Sequence, residues 1–277
     1  MAVDGRLYVF GGYTDTSYIP LTRRADVYDP RSDRWSELPD MPMAITHAGV
    51  ATDGANIYLA GGVVGSGAGD KISATTAVWR YTIASQQWTS IPSLPEPRGA
   101  GDLALLGRTL HFFGGTGIDR YVSEDEHWTL SLDDGTEWTP AAPLPNARNH
   151  LAAAVVDGAL YVIGGQYGHN ETLVTQRSVQ LYDAAQDQWI ERAPLPAGRS
   201  HIATAVVNGQ IYVFGGEEQH GVAQDEVFVY DPRTNAWTSA TPLPLPRLSG
   251  VAGVIDGAIL YTGGSLQRIT YKGALAP

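Results

Sequence analysis

Cysteine is absent from all 277 residues of this chain. That excludes disulfide bonds, thiol nucleophiles and cysteine-ligated metal centres, but it points to no compartment. Positive charge is scarce: 18 Lys and Arg residues face 29 Asp and Glu, for a net charge of −11 and a pI near 4.9. A partner held through a phosphate backbone needs a basic stripe, so the balance argues against nucleic acid and disfavours anionic membranes. No apolar run approaches the ~18 residues of a membrane-spanning helix. No helical period survives anywhere, and no signal peptide is visible.

What the chain has is repetition. Gly-Gly pairs stand at Gly11-Gly12, Gly61-Gly62, Gly114-Gly115, Gly164-Gly165, Gly215-Gly216 and Gly263-Gly264, spaced 50, 53, 50, 51 and 48 residues apart. The first five pairs are each followed by a tryptophan (Trp35, Trp88, Trp138, Trp189, Trp237), and every one of these lies 26 residues before the next Gly-Gly. A constant register with a period near 50 is the signature of a propeller array. Within the fourth unit, His150 to Val156 is an apolar run suited to a buried strand. Asp157-Gly158 marks a tight turn, and residues 159–163 form a second strand stopped by Gly164-Gly165. A polar loop runs from Gln166 to Gln176, residues 178–182 alternate as a third strand, and Trp189 opens a short fourth. Tyr28, Tyr81, Tyr182 and Tyr230 each precede their tryptophan by seven residues. Four strands repeated six times predict an all-β, six-bladed β-propeller. It would be a single domain over 1–277, with blades near 1–43, 44–96, 97–146, 147–197, 198–245 and 246–277.

Gly-Gly, a spaced Tyr and Trp, and Leu-Pro-x-x-Arg together resemble the Kelch repeat over essentially the whole chain. Residues 145–150, Arg199-Ser-His201 and residues 261–264 also resemble bacterial Kelch-type proteins labelled galactose-oxidase-like. That resemblance favours an extracytoplasmic location. The oxidase chemistry itself needs a thioether-forming cysteine, which this chain lacks. Unit three departs from the pattern with Ser131 in place of Tyr, and unit two with Ile45 in place of Arg. Glycines are expected to permit close blade contact, and Tyr and Trp to fill the wedges with their polar tips on backbone partners. Only three residues precede Asp4, the counterpart of Asp157, and unit six has no Trp-bearing fourth strand. The family usually completes this blade with a terminal segment. The expectation is therefore an incomplete terminal blade in a trimmed chain, whose unpaired edge could self-associate.

Length variation is confined to the stretch between Gly-Gly and Trp, mostly in the loop after the second strand. That loop shares a face with the Leu-Pro-x-x-Arg connection between blades, and varied loops on a fixed scaffold are where binding resides. Arg98, Arg148, Arg199 and Arg247 each lie 16 residues before a Gly-Gly; His47, His150 and His201 lie 14 before. Asn149, Gln166, His169, Glu217 and His220 join this face, with Tyr13, Tyr18 and Tyr167 for stacking. Two readings of the arginines stand: each braces its own loop, or together they form a cationic rim that holds an acidic group. Two histidines with a carboxylate can hold Zn or Fe. No tight His-x-His or His-x3-His pair occurs, so no metal or other cofactor is expected. His111 and His127 read as strand or loop residues without partners. No Ser-His-Asp triad, phosphate loop or glycosidase carboxylate pair can be drawn.

These observations favour a non-enzymatic binding propeller for an acidic peptide segment or a glycan, held on the face of the interblade connections and second-to-third-strand loops. The alternative, suggested by resemblance to sialic-acid epimerase, is a channel-mouth enzyme acting on an acidic sugar.

Overall fold

A computed structural model describes residues 1–15, 20–65, 72–265 and 267–274. Six antiparallel sheets follow one another around a central cavity. The fourth blade is representative, with strands Ala152–Val156, Ala159–Ile163, Val179–Asp183 and Gln188–Glu191 ordered from the inside out. Its first hairpin turns at Asp157-Gly158, both residues at positive φ (49° and 76°). That is the backbone twist a two-residue hairpin loop requires. Asp4-Gly5, Asn208-Gly209 and Asp256-Gly257 repeat it. The seven-residue Tyr–Trp spacing has a direct cause. In blades one, two, four and five the two rings face each other across the third and fourth strands, as in Tyr182 opposite Trp189, at centroid distances of 4.8–5.2 Å. Such aromatic cross-strand pairs fix register. Blade three, without the tyrosine, has an outer strand of only three residues, Thr139–Ala141.

The blades are joined by a repeated device. The first glycine of each of the first five pairs lies against a backbone carbonyl of the next interblade connection. A Cβ on Gly61, Gly114, Gly164 or Gly215 would meet the carbonyl of Arg98, Arg148, Arg199 or Arg247 at 2.4–2.6 Å. The second glycine donates its N–H to that same carbonyl at 2.7–2.9 Å. Only glycine allows this contact, and both members of the pair hold positive φ. Leu94, Leu144, Leu195 and Leu243 of the Leu-Pro segments are buried in the wedges. Each contributes about 1.5–3 kcal/mol of apolar burial. Tryptophan indoles reach back to the preceding blade: Trp138 Nε1 donates to Pro92 O, Trp189 to Ala142 O and Trp237 to Ala193 O, at 2.7–2.8 Å. The tyrosine hydroxyls differ from expectation. Those of Tyr28, Tyr182 and Tyr230 donate to the turn side chains Asp33, Asp187 and Asn235, which stand in left-handed conformation, and not to backbone.

At the seam, blade one does possess an inner strand, Ala2–Val3, paired with Arg6–Phe10, so its sheet has four strands. Blade six has three among the described residues: Gly250–Ile255, Ala258–Gly263 and Thr270–Ala274. The ring closes here. Leu7 and Tyr28 pack with Ile255 and Leu260, and Arg31 pairs with Asp256 at 3.4 Å. The polar loop of blade four is itself ordered as a small hairpin, Gln166–Tyr167 with Val174–Thr175. Blades two and five carry similar ones, Val63–Gly65 with Ile72–Ala74 and Glu217–Gln219 with Val222–Ala223.

Candidate functional site

The interblade connections put arginine and histidine, two residues apart, into opposite environments. Each arginine turns into its own blade. Arg98, Arg148, Arg199 and Arg247 are at most 3% exposed. Arg98 pairs with Glu126 at 2.9 Å and Glu96 at 3.1 Å and lies over the Trp128 ring. Arg199 pairs with Glu226 at 3.0 Å over Phe228, and Arg247 meets the Tyr271 hydroxyl at 2.9 Å. Arg148 donates to Gly164 O at 2.9 Å and to the side chains of Asn146 and Gln180. Burial pushes its guanidinium down to about 10, so it stays charged at neutral pH. None of the four lines the central cavity. A cationic rim is therefore not what these side chains present; they brace the second and third strands of their own blades.

The histidines turn inward. His47, His150 and His201 all adopt left-handed backbone (φ 55°, 49° and 52°), as do Ala100 and Ser249 at the equivalent positions. A chain of backbone bonds links these five residues. Ala100 N donates to His47 O, His150 N to Ala100 O, His201 N to His150 O and Ser249 N to His201 O, at 2.7–3.1 Å. This belt spans five successive connections and aims the three imidazoles at one another. His150 and His201 stack with centroids 3.9 Å apart, and His47 meets His150 edge-on at 5.0 Å.

The neighbours fix the rings. His150 Nδ1 contacts Asn149 Oδ1, and Asn149 Nδ2 donates to Ser123 Oγ at 2.8 Å. His201 Nδ1 lies 3.1 Å from Glu217 Oε2, while Glu217 Oε1 accepts from the Gly221 N–H. Burial would raise the Glu217 carboxyl, but the His201 and Gly221 contacts hold it below its usual value. Desolvation, followed by repulsion from His201 and Arg120, lowers His47 to about 3. His150 falls well below its ordinary value, first through desolvation and then through His201 and His47. Gln166 is buried and bridges to Asn149 through the backbone; its Oε1 has no partner among the described residues. His169 lies toward the mouth, 6.2 Å from His150 between ring centroids, and His220 is exposed on the cavity lining. Tyr13 packs on His47. Tyr18 lies outside the described residues.

The cavity below this group has a volume of about 2200 Å³ and walls of small apolar residues from the inner strands. Sequence reasoning missed three of its features. Arg120 lines the mouth beside His169, from a loop position that no other blade repeats. Asp102 is half-buried on the wall, where it accepts from Leu103 N and Ala153 N at 2.8 Å; desolvation raises it to about 6. The third is the group of large apolar side chains exposed on the loops of blades three to five, including Ile118, Tyr121, Val122 and Val222. His111 and His127 do have partners: each other, at 2.9 Å, inside blade three.

The profile of the KLHDC2/KLHL20/DRC7 Kelch-repeats domain matches residues 47–264, and that of the Kelch motif matches residues 1–42. A Kelch repeat-containing protein of Arabidopsis thaliana is 29% identical over 233 residues, covering 77% of this chain and 54% of that protein. Kelch-like protein terF of Aspergillus terreus is 30% identical over 222 residues, 77% of this chain and 48% of the relative. Kelch-like protein 35 of Mus musculus is 31% identical over 195 residues, 69% of this chain and 31% of the relative. The chain thus spans about half the length of the first two and under a third of the last. These relatives come from a plant, a fungus and an animal, which gives the bacterial resemblance no support. With its matched repeats spanning nearly every blade, the chain belongs to the Kelch-repeat family.

Proposed function

We propose that this propeller is a non-enzymatic binding module that holds an extended, acidic peptide segment across the mouth of its central cavity. One observation carries the reading. Ile118, Tyr121, Val122, Tyr167, Val174 and Val222 are each 43–68% exposed, and all stand on the loops that follow the Gly-Gly pairs of blades three, four and five. Exposed apolar side chains grouped on one face mark interaction sites, and tyrosine gives large contact area at small entropic cost. Arg120, at the inner edge of this collar, is the cation available to a carboxylate, and His169 adds a hydrogen-bonding ring beside it. The repeated arginines take no part in contact, since their side chains are buried inside the blades and none lines the cavity. The four repeated arginines do not line the cavity; Arg24, Arg120 and Arg268 do, so an acidic sugar acted on there would have to be held by these.

Panning a displayed peptide library against the chain tests the reading. Enrichment of segments pairing apolar residues with Asp or Glu is expected, with capture lost on Tyr121→Ser combined with Tyr167→Ser and reduced on Arg120→Ala. Absence of enrichment, or capture unchanged in these variants, refutes it. Binding on a glycan array without peptide enrichment would assign the face to carbohydrate instead.

A further inference from the structure

We propose that His47, His150 and His201 form a three-imidazole site for a divalent transition metal, with zinc the ion its chemistry fits. One ring nitrogen from each lies within 4.8 Å of the others. Tetrahedral zinc with Zn–N bonds of about 2.1 Å sets nitrogens roughly 3.4 Å apart, so side-chain rotations of about 1 Å close the set. The interblade belt brings the rings together without adjacency in sequence. Its left-handed backbone belongs to the scaffold, since Ala100 and Ser249 share it; imidazole at three of the five positions is particular to this site.

Hydrogen bonding supports the assignment independently. Asn149 Oδ1 accepts, so His150 carries its proton on Nδ1 and leaves Nε2 a lone pair. The Glu217 carboxylate accepts from His201 Nδ1 in the same way. A carboxylate behind a histidine, and an amide behind another, are the outer supports that orient and enrich metal-binding imidazoles. His47 Nδ1 is buried and finds no hydrogen-bond partner among the described residues. Such an orphan is uncommon and calls for a ligand or another explanation. Arg120 and burial oppose added positive charge; the anionic Glu217 offsets them. The three protein ligands would leave the fourth position open toward the cavity, where water or an oxygen of a bound segment fits. Imidazoles without thiolates suit zinc over soft-metal clusters.

Chain without a histidine tag, stripped with chelator, is titrated with Zn²⁺ by calorimetry and with Co²⁺ by visible absorption. One equivalent is expected to bind, with the intense absorption of four-coordinate cobalt. His150→Ala and His201→Ala abolish it, and Glu217→Gln weakens affinity roughly 10–100-fold. Should either alanine variant unfold by circular dichroism, His47→Gln decides, because no partner holds His47 Nδ1. Absence of saturable binding, or stoichiometric binding retained in His47→Gln, overturns the proposal.

Discussion

Replacing Arg148 with alanine separates bracing from ligand contact. The guanidinium is fully buried and donates to Gly164 O, Asn146 O, Asn146 Oδ1 and Gln180 Oε1. Asn146 Oδ1 retains the amide of Gln180, so the acceptors most exposed to loss are Gly164 O and Gln180 Oε1. Each buried acceptor left unpaired costs about 1–3 kcal/mol, so the variant is expected to lose about 4 kcal/mol. Recovery of the guanidinium's desolvation energy works the other way, and loss of its packed stem adds to the cost. For 277 residues the unfolding entropy is about 0.6 kcal/mol/K, so the melting temperature should fall by about 7 °C. Calorimetry and urea denaturation read it directly. Arg148→Lys should recover little, because an ammonium cannot reproduce the planar fork. A melting temperature within about 1 °C of the parent would refute the bracing role and return Arg148 to the ligand face.

Gly164→Ala drives a Cβ to 2.5 Å from Arg199 O in the next blade, at a φ of +59°. Left-handed strain of about 1–2 kcal/mol and damage to the Gly165–Arg199 bond should together cost about 2–4 kcal/mol in urea denaturation, and a neutral effect would contradict the blade-joining role. Acid should destabilise the fold between about pH 6 and 4. Desolvation lowers His111 to about 3 and His127 to about 4. Both stay neutral in the fold while the unfolded chain takes up protons below about 6.5, so stability is full above that pH and falls below it. Each such imidazole contributes a slope of about 1.4 kcal/mol per pH unit, and His47 and His150, lowered by the same cause, add to these two in the same direction. Asp102, raised to about 6, binds its proton more tightly when folded and opposes them by about 1.4 kcal/mol per unit over the same range. Urea midpoints should therefore fall with pH, and more gently in His127→Gln; a flat profile would count against the buried neutral pair.

Much of the architecture was legible because it rests on local rules repeated in register. Asp157-Gly158 announces a hairpin, Tyr182 and Trp189 announce facing strands, and Gly164-Gly165 marks a close approach that a side chain would block. The inner strand of blade one was harder to see, because Ala2 and Val3 become a strand only by pairing with Leu7 and Arg6. The small hairpin at Gln166 was also hidden, since its two-residue strands are too short to show an alternation. The histidines could be grouped by spacing alone, but their contact could not be anticipated. Residues 51 and 103 positions apart meet only where successive connections join into a belt.

The one-dimensional pattern settled the number of units, the order of strands within each and the positions of the interblade contacts, because each depends on neighbours within a single repeat or the next. The direction each side chain faces was decided in three dimensions. Arg148 and His150 stand two residues apart with similar polarity, and nothing in their order says that one enters the blade and the other the cavity. The left-handed turn at His150 decides it, and a non-glycine residue holds that turn only because Ala100 O accepts its N–H and His201 N donates to its carbonyl. Those bonds require that the ring already be assembled.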